Sequence, residues 1–386
     1  MGRILFALAA GLATLAACDR KTGGLAAQPD AAVDADGILI GEVGSLTGAE
    51  ASFGISARNG IELAIAQANA EGGVKGKKIA VRVYDDQSKP EEAANAATRL
   101  ITQDRVKLIL GEEASSNSLA MARKAQPAQV PMISPTSTNP KVTQVGDYIF
   151  RVCFIDPFQG LVMAKFAREH LKANTAAVLE DQKSDYSLGL TEYFTRAFRQ
   201  MGGTIVAVEA YAKGDTDFRS QLTAIKGRKP DAIYIPGYYT DAGIIARQTR
   251  QLGIKATLLG GDGWRSDKLF ELGGRALEGS YFSDHYSPDN PAPKVQKFLA
   301  DYKAAYRTVP DSPAALGYDA AQVAIAAMRR APDLSGPSIR LAISQTKDFE
   351  GVGGKITLDE NRNAVKPAVV LQVRDGQLQY VTSVSP

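Results

Sequence analysis

The sequence predicts an α/β protein of two lobes, each a parallel sheet flanked by helices, and three observations carry that reading. Short apolar runs alternate with helix-period stretches over brief connections, the β-α-β-α pattern of parallel sheets covered by helices. The order of elements then runs twice. Gly72-Gly73, strand, acid-bearing turn, helix, strand, Gly111 is matched by Gly202-Gly203, strand, Gly214-Asp215 turn, helix, strand, Gly237. Finally, 386 residues exceed what one ordinary hydrophobic core holds.

Ile38 to Val43 is a short apolar strand, followed by the turn Gly44-Ser45-Leu46-Thr47-Gly48. From Gly54 to Ala70 apolar residues fall at helical spacing, and Glu71-Gly72-Gly73 stops the helix. Lys78 to Tyr84 alternates as a strand, Asp85-Asp86 turns, and Pro90 opens a helix over Glu91 to Asp104. Leu108 to Leu110 is a strand ending at Gly111, and a helix follows with Ser115 or Ser116 as its N-cap. Met132-Ile133 is the next strand, ending at the hydroxyl cluster Ser134 to Thr138.

Tyr148 to Phe154 reads as extended and Pro157 to Leu171 as helix. The repeat then gives strands at Ala176 to Leu179, Thr204 to Glu209, Asp231 to Ile235 and Thr257 to Leu259. Its helices fall at Leu188 to Met201, Phe218 to Lys226 and Asp241 to Leu252. After the extended run Tyr281 to Tyr286 come three helices, Pro293 to Tyr306, Pro313 to Arg330 and Pro337 to Gln345, then strands Lys355 to Leu358 and Ala368 to Val373. Helices without intervening strands cannot form a lobe, so they return to complete the first, and the last strands complete the second. The expected division is 37–154 with 286–348 for lobe one and 155–285 with 349–386 for lobe two. Three crossings, near Val152 to Asp156, Phe282 to His285 and Phe349 to Gly354, make a three-segment hinge suited to closure.

Composition narrows the function classes. Basic residues number 45 and acidic 42, scattered rather than blocked, which argues against nucleic acid or an anionic membrane surface as partner. Two His and two Cys argue against most metal sites and against Cys- or His-based catalysis. Residues 1–17 have a secretory-signal layout, with Arg3 before an apolar run from Ile4 to Ala17. Leu15-Ala16-Ala17-Cys18 resembles a bacterial lipobox; the alternative is an ordinary signal with an incidental Cys18. Cleavage removes one basic residue from a net charge of +3, leaving +2. Residues 18–36, rich in Gly, Ala and Asp, read as a tether. The expected location is the periplasm or outer cell surface, held to the membrane only by a lipid. Cys153 is then the mature chain's sole cysteine, on an apolar segment that suits a buried, inert thiol.

The chemistry-bearing positions lie at strand ends. Glu112 to Ser116 opens a helix whose free N–H groups suit a carboxylate or phosphate, though serine there also serves simply as a cap. Thr136-Ser137-Thr138 forms a second polar turn on a neighbouring strand end, where open α/β sheets bind ligands. The second lobe's strand ends supply Asp185 and Asp262 with Tyr186, Tyr238, Tyr239 and Trp264. Anion-binding donors on one lobe, with an acid and aromatic faces on the other, suit a zwitterion. No G-x-S-x-G, Walker-type loop or dinucleotide fingerprint is present, so no enzyme constellation assembles.

GEVGSLTG, the Phe53-Gly54 pair, NGIELAIAQANAEGGVKGKKI, YDDQSKPEEAANAATRLI, the paired hydroxyl turns and ALGYDAAQVAIAAM closely resemble the branched-chain amino-acid (Leu/Ile/Val) binding family. These are solute receptors of ABC importers with the type I periplasmic binding fold, and the resemblance runs from Ile38 to the end. It implies an amino acid clasped between lobes and handed to permease subunits by a monomer with no cofactor or metal. It puts the ligand carboxylate on Ser115 and Thr138. The ammonium falls on Thr138, the Thr136 carbonyl and Asp262, between aromatic walls Phe53, Tyr186 and Tyr238. Ala114 and Ser137, inside the same turns, complete the expected site. The same fold used as a ligand sensor is the alternative. Two departures stand out: Asp262 where several members carry Glu, and Glu113 where aliphatic binders carry an apolar residue. Either Glu113 points to solvent or the ligand is polar or cationic there, because a carboxylate facing an aliphatic chain loses roughly several kcal/mol of hydration.

Overall fold

The computed structural model describes residue 2 and residues 37–386; Cys18, the tether and the leader apart from Gly2 lie outside the described residues. The first lobe is built from β1 (Ile38–Gly44), α1 (Ala51–Ala70), β2 (Ile79–Asp85), α2 (Pro90–Arg99), β3 (Ile109–Leu110), α3 (Ser115–Ala125), β4 (Met132–Ser134), the short α4 (Lys141–Gln144) and β5 (Ile149–Arg151). Its sheet runs β2-β1-β3-β4-β5, every neighbouring pair parallel. Successive residues serve opposite faces: Leu108 and Leu110 pack with Ile40, Ile61 and Tyr318, while Ile109 packs with Leu100, Met121 and Met132. Helices on both faces explain why these strands read as continuous apolar runs.

The second lobe follows as α5 (Asp156–Lys165), β6 (Thr175–Asp181), α6 (Asp185–Gln200), β7 (Thr204–Tyr211), α7 (Arg219–Arg228), β8 (Ala232–Ile235), α8 (Tyr239–Gln251), β9 (Thr257–Gly260), α9 (Asp267–Gly273) and β10 (Tyr281–Asp284). The chain then supplies α10 (Pro293–Tyr306), α11 (Ser312–Arg330) and α12 (Gly336–Ser344), whose Phe298, Tyr302, Ala321, Ile339 and Ile343 lie in the first lobe's core. α11 crosses α1 on glycines. A Cβ on Gly60 would sit 2.0 Å from the Ala314 carbonyl oxygen, and one on Gly317 would sit 2.3 Å from that of Ala57.

Strands β11 (Phe349–Gly351), β12 (Gly354–Leu358) and β13 (Ala364–Val365) form a small antiparallel sheet. Here the expected boundary is corrected. Val352, Ile356, Leu358 and Ala364 are buried in the first lobe's core, so the chain re-enters the second lobe after Val365 rather than at 349. β14 (Ala368–Arg374) and β15 (Gln377–Val384) then extend the second sheet, β15-β14-β10-β9-β8-β6-β7, antiparallel from β10 outward. β15 went unread in the sequence, yet Asp375-Gly376 carries a two-residue hairpin signal, with both residues at positive φ (53° and 72°). Two expected helices, 91–104 and 157–171, end in π-helical turns, Leu100–Asp104 and Phe166–His170. No helix among the described residues is long and apolar enough to cross a membrane.

Candidate functional site

β3 and β4 deliver two adjacent turns to one edge of the first sheet. Gly111 makes the first possible: its φ is 113°, and a Cβ there would lie 2.0 Å from the Val43 carbonyl oxygen. Hydroxyls then stitch the turns together. Ser134 Oγ donates to the Glu112 carbonyl at 2.7 Å, Ser118 Oγ to the same oxygen at 2.9 Å, and Thr136 Oγ1 to the Glu113 carbonyl at 3.0 Å. Ser137 Oγ reaches both carbonyls, at 3.0 and 3.1 Å. Much of the hydroxyl richness seen in the sequence is therefore a buttress that satisfies buried backbone.

The two lobes touch. Thr240 Oγ1 donates to the Ala49 carbonyl at 2.7 Å, Lys213 Nζ meets Glu50 Oε2 at 2.8 Å, Ser266 Oγ meets Ser52 Oγ at 2.8 Å, and the Asp185 N–H donates to Ser116 Oγ at 3.0 Å. Between them lies a narrow cavity of about 20 Å³. Phe53, Glu113, Ser115, Thr136, Ser312 and Pro313 line it from the first lobe, and Tyr186, Tyr238, Asp262, Gly263, Asp284 and His285 from the second and its hinge. Phe53 stands edge-on to Tyr238 and Tyr239, with ring centroids 6.0 and 4.9 Å away, and Tyr238 stacks on Tyr186 at 5.0 Å.

Asp262 is held from two sides. Tyr186 donates its hydroxyl to Oδ1 at 2.8 Å and accepts from the Gly263 N–H at 3.0 Å; His285 Nε2 meets Oδ2 at 2.9 Å. The His285 ring lies on Phe154, centroids 3.6 Å apart, and burial lowers its pKa against the pull of Asp262. A neutral ring with its proton on Nε2 donates to the carboxylate and holds it in place. Gln159 Oε1 accepts from the Asp262 N–H at 2.8 Å and from Ser283 Oγ at 2.7 Å. Asp284, whose Oδ2 lies 3.1 Å from Arg265 Nε, has its pKa raised by burial to about 7, opposed by that guanidinium.

Glu113 faces inward. It is 5% exposed, and Oε2 has no hydrogen-bond partner. Burial, with the nearby charge of Asp86, pushes its carboxyl up to about 8. Glu112 behind it is also raised by burial; it accepts from Ser45 Oγ at 2.9 Å and from the Ala114 N–H.

Seven of the ten residues expected at the site line the cavity: Phe53, Glu113, Ser115, Thr136, Tyr186, Tyr238 and Asp262. Three do not. Ala114 is the N-cap of α3, its N–H taken by Glu112, so neither Ser115 nor Ser116 caps that helix; Ser115 Oγ instead accepts from the Asn139 N–H at 3.2 Å. Ser137 is a buttress. Thr138 is buried at the hinge, its carbonyl accepting from the Asp156 N–H at 3.0 Å. The sequence reading missed Asp284, His285, Gly263, Ser312 and Pro313. The last two had a visible signal, the Asp311-Ser312-Pro313 helix start; Asp311 Oδ1 caps α11 by accepting from the Ala314 N–H at 3.0 Å. The sequence pattern assigns that helix only to the first lobe's packing, yet its first turn reaches the cavity.

Cys153 is buried, its Sγ donating to the Ser137 carbonyl at 3.3 Å, and burial raises the thiol to about 12, an unreactive setting. Among the described residues, no group of three or more His, Cys, Asp or Glu is placed to hold a metal ion.

Comparison with known proteins agrees with this architecture. The family model described as periplasmic binding protein matches residues 37–377. A Leu/Ile/Val-binding protein of Rhizobium johnstonii is 30% identical over 325 residues, covering 84% of this chain and 88% of that one. Among solved structures, a leucine binding protein from Thermotoga maritima is 40% identical with a TM-score of 0.87, covering 90% of this chain and 99% of its own. A branched-chain amino acid transporter substrate binding protein from Streptococcus pneumoniae, in complex with isoleucine, is 35% identical with a TM-score of 0.86, covering 91% and 100%. The chain belongs to the periplasmic binding protein family, with the type I fold of the Leu/Ile/Val-type solute-binding proteins of ABC transporters, and is not an enzyme.

Proposed function

We propose that this protein is the extracytoplasmic receptor of an ABC importer, closing its lobes around a small amino acid or related polar metabolite and delivering it to permease subunits. The observation that carries this reading is the division of the cavity wall. One side offers the Ser115 hydroxyl and the start of α3, whose dipole favours a carboxylate; the other offers Asp262, already oriented, for an ammonium. Phe53, Tyr186 and Tyr238 close the space between them. The isoleucine held by the Streptococcus pneumoniae relative supports the ligand class. The protein works as a monomer tied to the membrane by a lipid on Cys18; Cys18→Ser should shift it from the membrane to the soluble fraction, and retention would remove the anchor.

A thermal-shift screen over amino acids, amides, aromatic acids and neutral sugars tests the reading, because a ligand of the closed form raises Tm with its concentration. The expected hit is a zwitterion. Shifts by neutral metabolites alone would refute the carboxylate–ammonium arrangement.

A further inference from the structure

We infer that the solute carries, besides its α-ammonium, a second cationic group that meets the Glu113 carboxylate. The inference rests on the receptor reading above and deepens it.

Charge matching across the cavity carries it. Three carboxylates line the walls, Glu113, Asp262 and Asp284, and no Lys or Arg side chain does. Asp284 has its cation in Arg265, 3.1 Å away and itself nearly buried. Asp262 meets the ligand's ammonium in the proposed pose. Glu113 alone has no cation. Its Oε2 lies against β1, where a Cβ on Gly44 would come within 3.2 Å, and has no hydrogen-bond partner. A buried carboxylate oxygen without a partner is costly, and an aliphatic side chain cannot relieve it. A ligand ammonium beside Glu113 would supply the cation that the wall lacks.

The relatives point elsewhere, being Leu/Ile/Val binders by name. Glu113 separates the two possibilities, because the first lobe otherwise presents Phe53 and small residues there.

The test is calorimetric titration of the full mature chain with isosteric probes: L-2,4-diaminobutyrate, L-norvaline and L-aspartate, together with 1,3-diaminopropane, which lacks the carboxylate. The expected result is a preference of about tenfold or more for the diamino acid over norvaline and aspartate. Glu113→Leu should abolish or reverse that preference, and Glu113→Gln, which keeps the side-chain shape, should reduce it. If norvaline or aspartate binds the wild type as tightly as the diamino acid, the inference is overturned while the amino-acid reading stands. Binding of 1,3-diaminopropane with no amino acid bound overturns the amino-acid reading and keeps a cation at Glu113. If none of the four binds, both are overturned.

Discussion

Two carboxylates face each other across the cavity, and their surroundings could hardly differ more. Asp262 has a donor on each oxygen, Tyr186 at 2.8 Å and His285 at 2.9 Å, each donor held by packing of its own. Glu113 has an oxygen with no partner, and other buried acids stand nearby: Glu42 on β1, Asp86 beyond β2 and Glu112 next in sequence. Asp262 is thus oriented before a ligand arrives, whereas on the reading proposed above Glu113 is matched only by one. On the proposed reading orientation and discrimination are divided: a preorganised Asp262 fixes the pose, and Glu113 selects the solute.

Asp262→Asn is the largest test of that contrast. The amide keeps an oxygen for Tyr186 or His285, so the fold should persist while the ammonium's charge partner is lost. Removing one member of a buried, hydrogen-bonded charge pair costs about 2–5 kcal/mol, so the affinity of any amino acid that binds should fall about thirtyfold or more. A carboxylic acid of the same skeleton without the amine should change little. Equal losses for the two ligands in titration calorimetry would take the ammonium away from Asp262.

The pH dependence probes the other wall. In the ligand-free protein Glu113 is raised from 4.5 to about 8, as is Glu42, so between those limits the folded state holds protons the unfolded chain has released. Stability is then greatest at the acid end of the window and falls as pH rises towards 8, by about 1.4 kcal/mol per pH unit for each proton held. Glu113→Gln should flatten the slope of denaturation midpoint against pH, measured between pH 5 and 8 without ligand. An unchanged slope would mean that Glu113 is ionised in the free protein. Binding of a dicationic amino acid should release a proton, seen as a binding enthalpy that depends on the ionisation enthalpy of the buffer.

Legibility in the sequence followed the same divide. The lobes could be read because period and punctuation are local: Gly72-Gly73 and Gly202-Gly203 stop their helices, and both-face burial makes the strands continuously apolar. Ser115, Thr136, Tyr186, Tyr238 and Asp262 could be placed together at the cavity because each follows the end of a strand. His285 and Asp284 could not, since they lie at a crossing between lobes and owe their setting to partners about twenty residues back in the chain. Ser137 misled for the opposite reason. A hydroxyl in a turn reads alike whether it faces a ligand or a neighbouring carbonyl, and only the paired turns of β3 and β4 decide. The strands over 349–365 misled similarly, because short amphipathic strands carry no mark of the lobe they cover.

The smallest expected effect sharpens the picture of the finished wall. Tyr186→Phe removes one donor to Asp262 and the acceptor for the Gly263 N–H, yet leaves the ring stacked on Tyr238 and His285 still bound to the other oxygen. Losing a hydrogen bond to a charged group costs about 1.5–3 kcal/mol where nothing replaces it. Here a ligand ammonium can move towards the vacated lone pair, so the net loss should be smaller, about 1 kcal/mol, or roughly fivefold in affinity for an amino acid. The loss should appear mainly in the dissociation rate, since the mouth of the cavity is unchanged. A drop as large as that of Asp262→Asn would show that the Tyr186 hydroxyl bonds the solute directly instead of acting through the carboxylate.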